Sequence, residues 1–350
     1  MGIGEQLRGH IPRASPDDER IIQYRTLETR ISYTAPWQSA RVGNIAFLPP
    51  RDRVVLETND ARVAALAARL WPRGPADGGG ATIRLQVEVR NDLAPGARLR
   101  ALPERQLFWE HTPAEFRCGI PGLFSARIEL AAATIDATAA PDLLDGAPDL
   151  AARSLLEAPV AVLLARRGWR ALHAGAVSGP RGAVVIRGGS GAGKSTLIAA
   201  AHAAGLGVLG DESVLAQRGD SDALAASVRE LTLRADSAAL LGIYASTSPA
   251  FSGGEEKRRV ELFDGSRPEV REARRVTTLL LGPRAPGPAR LVPLAPADFL
   301  VEFEKGEIPQ EHIDGGAFSV ARAWAHAGGA RLDGASDLAG AVSLLKGLVT

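Results

Sequence analysis

The glycine-rich run GGSGAGKS at residues 188–195 constrains the fold of this chain more than any other feature of its sequence. It matches the pattern G-x-x-x-x-G-K-[ST] of loops that bind nucleotide phosphates. Apolar residues 183–186 precede it and alanine-rich residues 197–204 follow it, so a strand, the loop and a helix are predicted in that order. Glycine lets successive N–H groups curl around a polyphosphate, and the helix adds its positive dipole end. A nucleotide-binding loop is therefore predicted, with a glycine-rich turn that binds nothing as the alternative.

Two side chains of this loop have the chemistry that ATP and Mg²⁺ require. Lys194 is predicted to reach the β- and γ-phosphates, and the Ser195 hydroxyl to complete the Mg²⁺ shell together with water and phosphate oxygens. The predicted nucleotide-binding residues are Gly188, Gly189, Ser190, Gly191, Ala192, Gly193, Lys194, Ser195 and Thr196.

Two carboxylates and two cations outside the loop are further candidates. Asp211 and Glu212 end the short apolar stretch 207–212, and in a P-loop fold that position brings acids close to Mg²⁺ and the γ-phosphate. A solvated turn is the alternative. Lys257 and Arg258 follow a glycine pair within residues 252–259, which are predicted to form either a solvated loop or a mobile clamp for phosphate or substrate.

Charge and hydropathy exclude several partners. The 350 residues include 41 basic and 40 acidic side chains, and this even balance provides no overall field for nucleic acid or an anionic membrane. No apolar run approaches the ~20 residues that span a bilayer, and the polar start lacks a signal-type apolar core. A soluble, cytoplasmic protein without nucleic-acid or membrane partners is expected. Cys118 is the only cysteine, so it cannot form an intrachain disulfide and is predicted to be a buried apolar residue.

The chain is longer than the ~250–300 residues at which single cores stop growing, so two domains are expected after a loosely ordered arm at residues 1–35. Residues 36–145 are predicted to form an α+β lobe, with a linker at 141–148. Ile83, Leu85, Val87 and Val89 alternate with polar residues, as in a half-buried antiparallel strand. The lobe's strands are predicted at 42–47, 81–89, 106–111, 114–120, 124–130 and 134–139, and its helix at 60–71.

The P-loop domain is predicted over residues 150–350. Its first helix, 150–167, should be kinked or divided by Pro159, which has no N–H to donate. Strands at 171–177 and 183–187 are predicted to form a hairpin around the turn-rich residues 178–182, so the P-loop follows a hairpin. Further core elements are predicted at 231–243 and 276–281, and helices near 318–327 and 337–348.

Residues 171–214 resemble the C-terminal kinase domain of HPr kinase/phosphorylase. The family pattern is Leu-His-Gly/Ala-x-Ala-Val, a turn, an apolar strand, G-x-S-G-x-G-K-S, a helix and a strand that ends in two acids. This chain has LHAGAV at 172–177, then GGSGAGKS, then Gly210-Asp211-Glu212, in the same order. The resemblance implies an α/β P-loop kinase domain with the HPr kinase/PEP carboxykinase-like core, in which a β-hairpin precedes the P-loop. The N-terminal α+β lobe lies outside the resemblance.

The resemblance also implies roles for three residues by their position in the motif. His173 lies beside the phosphates, Asp211 takes the proton of the attacking hydroxyl, and Glu212, which replaces an Asp, assists Mg²⁺. The implied function is an ATP- and Mg²⁺-dependent kinase that transfers the γ-phosphoryl group to a hydroxyl, expected to be a serine, of a protein, peptide or small molecule. The oligomeric state is left open, with a homo-oligomer as one possibility, because the family's regulatory enzyme is a hexamer.

Two other functions stay open. A nucleotide-gated binding protein would bind ATP without transferring phosphate, and the replacement of Asp by Glu212 is compatible with lost chemistry. A PEP carboxykinase-like enzyme shares the core but needs additional Lys and His residues around a metal, which the sequence does not show. No copy of the family motif for the reverse, phosphorylase reaction is seen.

Overall fold

A computed structural model gives the structure over residues 44–48, 52–71, 81–93, 108–217, 223–226, 230–243, 248–252, 255–261, 272–283, 286–304 and 316–350. All of these belong to one compact unit, Ser39–Thr350. Over the described ranges the chain is a mixed α/β protein with four sheets. The predicted arm at residues 1–35 lies outside them, and the boundary between residues 145 and 150 stays a prediction. None of the helices in these ranges is long and apolar enough to cross a bilayer.

The first sheet has the strand order β1-β2-β3-β7-β6-β5-β4. Its strands are β1 (Asn44–Leu48), β2 (Asp52–Thr58), β3 (Thr82–Val89), β4 (Phe108–His111), β5 (Glu115–Ile120), β6 (Phe124–Glu129) and β7 (Thr134–Ala139), and helix α1 (Ala61–Leu70) connects β2 to β3. Strand β2 escaped the sequence prediction. The buried thiol of Cys118 lies in this sheet, as predicted, and burial raises its pKa to about 12.

Strand β3 corrects one prediction. It runs parallel to both β2 and β7, so the expected antiparallel pairing was wrong. Ile83, Leu85 and Val87 are buried as predicted. Their alternation fixes which face of the strand is buried, but it is the same for either direction of the neighbouring strands.

The predicted linker at 141–148 was also wrong, because helix α2 (Pro141–Gly146) occupies most of it. Pro141 sets the backbone angle of the first turn, and buried Leu143 and Leu144 anchor the helix to the core. Next come α3 (Pro148–Ala151), a π-helical segment (Ala152–Glu157) and α4 (Ala158–Arg166). The change from π to α geometry falls just before Pro159. This division was predicted, since Pro159 removes a donor and its ring crowds the preceding turn.

The remaining strands form three sheets. The strands are β8 (Trp169–Leu172), β9 (Gly175–Gly179), β10 (Gly182–Arg187), β11 (Gly207–Gly210), β12 (Val214–Gln217), β13 (Leu224–Ala226), β14 (Glu230–Arg234), β15 (Ser248–Ser252), β16 (Glu255–Glu261), β17 (Glu272–Ala273), β18 (Val276–Leu281), β19 (Arg290–Pro293) and β20 (Ala330–Asp333). A mixed sheet has the order β11-β9-β10-β18-β20-β19, and smaller sheets have the orders β17-β13-β12-β8 and β14-β16-β15.

Five helices accompany these strands: α5 (Lys194–Ala203), α6 (Ala235–Leu240), α7 (Pro296–Glu304), α8 (Gly316–Gly328) and α9 (Leu338–Val349). The two C-terminal helices were predicted from the sequence, and strand β18 occupies the core element that was predicted over residues 276–281. The antiparallel pairing of β9 with β10 confirms the predicted hairpin before the glycine-rich loop.

The predicted strand at 171–177 is in fact two strands in two sheets. β8 pairs with β12, whereas β9 pairs with β11. The segment from β8 to β9 and the segment from β11 to β12 therefore both pass between the same two sheets. They do so side by side, at residues 173–174 and 211–213. Gly175 follows the first crossing, where a Cβ atom would lie 1.9 Å from Cδ1 of Ile198 on α5. This double crossing brings His173 next to Asp211 and Glu212.

Candidate functional site

The glycine-rich loop, residues 188–195, connects the end of β10 to the start of α5. Gly191 (φ 74°) and Gly193 (φ 102°) have left-handed backbone angles that favour glycine. A Cβ atom on Gly189 or Gly191 would meet nothing within 4 Å, so the loop is open on the side that these positions face. The first N–H groups of α5 have no intrahelical acceptor. The loop thus has the backbone shape and the free donors that a chain of phosphates requires.

Lys194 begins α5 and is buried beneath the loop, with 7% of its surface exposed. Its Nζ atom donates to the carbonyl oxygens of Gly188, at 2.7 Å, and Gly189, at 3.3 Å. Burial lowers the pKa of Lys194, while the negative charges of Asp211 and Glu212 oppose that shift. The ammonium group is therefore held at the loop and near both carboxylates.

Asp211 is a buried carboxylate on the turn after β11, with 1% of its surface exposed. Burial and the charge of Glu212 raise its pKa to about 7. The Ser195 hydroxyl and the Thr232 N–H lie close enough to oppose this shift, yet neither carboxylate oxygen has a hydrogen bond of normal geometry to any described residue. A buried acid without good hydrogen bonds is costly, which agrees with the raised pKa of Asp211.

Glu212 is bound on both carboxylate oxygens. Oε1 accepts from Lys257 Nζ at 2.9 Å and from the Thr232 hydroxyl at 3.2 Å, and Oε2 pairs with Arg153. Burial acts to raise the pKa of Glu212, but Arg153 and Lys257 outweigh it and the pKa is lowered. Two adjacent acids thus have opposite tendencies, with Asp211 favouring the protonated form and Glu212 the ionised form.

His173 lies at the first crossing, next to the two acids of the second crossing. Its Nδ1 atom is 3.1 Å from the backbone oxygen of Glu212. Arg187, the last residue of β10, is fully buried and contacts the His173 backbone. Its Nη1 atom donates to the carbonyl oxygen of His173 at 3.4 Å, and its Nε atom donates to the carbonyl oxygen of Phe303 at 2.8 Å. Its guanidinium also covers the Phe303 ring at 3.9 Å. A cation at the end of an apolar strand was the available signal for Arg187, and it was missed.

The predicted loop at residues 252–259 is largely strand β16, so that prediction was wrong. Along this strand Lys257 and Arg259 share one face, while Arg258 is on the other. Lys257 pairs with Glu212, and Arg259 pairs with Asp149 at 2.6 Å. Lys257 is therefore at the site, whereas Arg258 belongs to the opposite face of its sheet. A run of charged residues can form a strand when the side chains on one face pair with opposite charges. Single-residue strand propensities do not include such pairing.

Thr196 lies on α5 one residue beyond the loop. Its hydroxyl donates to the Ser237 hydroxyl of α6 at 2.9 Å. This contact joins α5 to α6. Of the two neighbouring hydroxyls, Ser195 and Thr196, it is therefore Ser195 that acts on Asp211.

A cavity of about 60 Å³ adjoins Asp211, and the N-terminal part of the chain helps to form it. Its lining residues are Arg69, Leu70, Asp149, Ala152, Arg153, Glu157, Asp211, Glu212, Ser213, Glu230 and Thr232. At one end, Arg69 of α1 pairs with Asp149 at 2.8 Å and lies 3.3 Å from Glu230, while Arg259 pairs with the same two acids. This ion-pair quartet could not be predicted from the sequence, because its members are up to 190 positions apart.

Comparison with known proteins adds little to this geometry. No family model matches the chain, and no curated protein matches it. One solved structure that it matches is the Hpr(Ser) kinase/phosphatase from Coxiella burnetii, at 11% identity and a TM-score of 0.28, covering 51% of this chain and 95% of that one. Such values establish neither a shared family nor a shared fold. The family resemblance of residues 171–214 therefore stays a prediction.

Proposed function

We propose that this protein is an ATP- and Mg²⁺-dependent kinase that transfers the γ-phosphoryl group to a hydroxyl of a protein, peptide or small molecule, with serine as the expected acceptor. The observation that carries the proposal is Asp211. It is a buried acid without a hydrogen bond of normal geometry to a described residue, its pKa is raised to about 7, and both the charge of Lys194 and the hydroxyl of Ser195 act on it.

The glycine-rich loop fits a triphosphate. Its open glycine backbone, the N-terminus of α5 and Lys194 would hold the phosphates, and Ser195 would be a ligand of Mg²⁺. Within the described residues, no group of three or more His, Cys, Asp or Glu side chains could hold a metal alone. This suits Mg²⁺, which proteins bind through one or two side chains together with substrate phosphates and water.

Asp211 is the proposed base. A carboxylate with a pKa near 7 can accept a proton at neutral pH better than an ordinary, more acidic one. As the acceptor oxygen forms its bond to phosphorus, the bond from phosphorus to the leaving diphosphate breaks, and the acceptor proton passes to Asp211. Lys194 and the loop N–H groups stabilise the charge on the transferred group, and His173 would orient it from the adjacent crossing.

One observation favours the alternative of a nucleotide-gated binding protein. Both oxygens of Glu212, the second predicted Mg²⁺ ligand, are already bound by Lys257, Thr232 and Arg153. Glu212 would have to share its carboxylate between these cations and the metal. A protein that binds ATP but transfers nothing would need no such sharing.

Incubation of the protein with γ-labelled ATP and Mg²⁺ tests the proposal. The acceptors are free amino acids in one series and a cell extract in another, and labelled products are identified by mass spectrometry. Transfer of label to a hydroxyl supports the kinase. Tight ATP binding without any labelled product supports the alternative, and failure to bind ATP overturns both.

A further inference from the structure

The cavity beside Asp211 is lined by more acidic side chains than basic ones. Five carboxylates line it: Asp149, Glu157, Asp211, Glu212 and Glu230. The ion pairs described above account for three of them, because Asp149 and Glu230 lie between two arginines and Glu212 lies between Arg153 and Lys257. Asp211 and Glu157 are the two that remain.

Glu157 is the last residue of the π-helical segment and is half-buried. Its carboxylate makes no ion pair or hydrogen bond with the residues that the structure describes. Burial raises its pKa to about 7, and the charges that act on it are those of Arg153, Glu212, Glu230 and Arg69, all of which line the cavity. Glu157 therefore faces the same space as Asp211, and Arg153, its neighbour one turn earlier, is already paired with Glu212.

A second observation indicates that this space receives a ligand. Asp211 lines the cavity and is buried, with 1% of its surface exposed, and neither of its oxygens has a hydrogen bond of normal geometry to a described residue, although the Ser195 hydroxyl and the Thr232 N–H lie nearby. A buried acid of this kind is expected to meet a donor from a ligand or ordered water. The volume of about 60 Å³ holds a few water molecules, so the group that enters is small.

We propose that the cavity binds the ammonium end of a small hydroxyl-bearing acceptor, with Glu157 as the counter-charge and Asp211 facing the hydroxyl. The acceptor class is thus a short amino alcohol. This inference rests on the proposed kinase function, since only then does the hydroxyl beside Asp211 receive a phosphoryl group. Arg153 and Arg69 act on Glu157 from within the cavity lining, but burial outweighs them, and a cation bound at Glu157 would add to the positive charge there.

Binding can be tested without nucleotide. Ethanolamine and ethylene glycol differ only in the ammonium group, so we would compare them as ligands at millimolar concentrations by thermal unfolding and calorimetry. Ethanolamine is expected to raise the Tm of the wild-type protein, and ethylene glycol is not. Glu157→Gln is expected to weaken ethanolamine binding at least tenfold, while Glu110→Gln, on an exposed part of β4, leaves it unchanged. Equal binding of the two compounds, or unaltered binding by Glu157→Gln, overturns the inference.

A second variant separates loss of charge from loss of fold. Glu157→Asp keeps the negative charge on a shorter side chain and should recover part of the affinity that Glu157→Gln loses. If both variants lose binding equally while their urea midpoints match the wild type, the charge is not the cause and the inference fails.

Transfer assays then separate this inference from the kinase proposal. With labelled ATP, the KM for ethanolamine should rise at least tenfold in Glu157→Gln, while the KM for ATP stays the same. Transfer to ethylene glycol as good as that to ethanolamine overturns the acceptor class but leaves the kinase standing. Ethanolamine binding that depends on Glu157, without transfer to ethanolamine, free amino acids or any component of the cell extract, overturns the kinase but leaves the ammonium site standing.

Discussion

The Nζ atom of Lys194 lies 2.7 Å from the carbonyl oxygen of Gly188. The ammonium group is therefore held at the glycine-rich loop that is proposed to bind phosphate, and the negative charges of Asp211 and Glu212 act on it.

Replacement of Lys194 by alanine should weaken ATP binding ten- to a hundredfold, because it removes the cation that is hydrogen-bonded to the loop. Calorimetry with ATP and Mg²⁺ measures this. Lys346→Ala, on the C-terminal helix α9, is the matched control and should bind ATP normally. Equal affinity of Lys194→Ala and wild type would contradict the proposed phosphate site.

Replacement of Asp211 by asparagine should abolish transfer and leave ATP affinity within about threefold of wild type, because asparagine keeps the size of the side chain but cannot take a proton. Single-turnover assays with labelled ATP measure the transfer rate. Asp298→Asn, an exposed acid on α7, serves as the control. Transfer by Asp211→Asn at the wild-type rate would show that Asp211 is not the base.

The same variant should change how stability depends on pH. Folding raises the pKa of Asp211 from 3.8 to about 7. Between these values the folded protein keeps a proton that the unfolded chain has lost, so this group lowers the free energy of unfolding as pH rises. Asparagine does not titrate. From pH 4 to pH 8, Asp211→Asn should gain stability relative to wild type by up to about 4 kcal/mol. Urea unfolding at both pH values measures the difference, and parallel pH profiles would contradict the assigned pKa.

Glycine is required at Gly175, where the chain crosses between sheets. In Gly175→Ala the new methyl group would lie 1.9 Å from Cδ1 of buried Ile198 and 3.2 Å from the backbone oxygen of Asp211, so we expect a loss of about 1–3 kcal/mol in the free energy of unfolding. Gly347→Ala is the matched control: it lies in α9, where a Cβ atom would meet nothing within 4 Å, and should be neutral or slightly stabilising. Chemical denaturation compares the two, and equal effects would contradict the packing of α5 against this crossing.

Local patterns in the sequence determined the strand, the glycine-rich loop and the helix over residues 182–203, because glycine content, apolar runs and alanine richness act within a few residues. Local patterns also determined helix α1 and most strands of the first sheet. Whether β3 runs parallel or antiparallel to its neighbours depends on connections between distant segments, and the alternation of Ile83 and Leu85 carries no information on it.

The tertiary structure alone decided the charges around the site. It brought Arg69, Asp149, Glu230 and Arg259 into one quartet, paired Glu212 with two cations, and left Asp211 and Glu157 facing a shared cavity. Charge pairing and desolvation depend on distance and burial, which are set only when residues far apart in the chain pack together. The sequence by itself therefore indicated a phosphate-binding loop and two acids near it. The packed fold decided which acid is neutralised by ion pairs and which is buried without one.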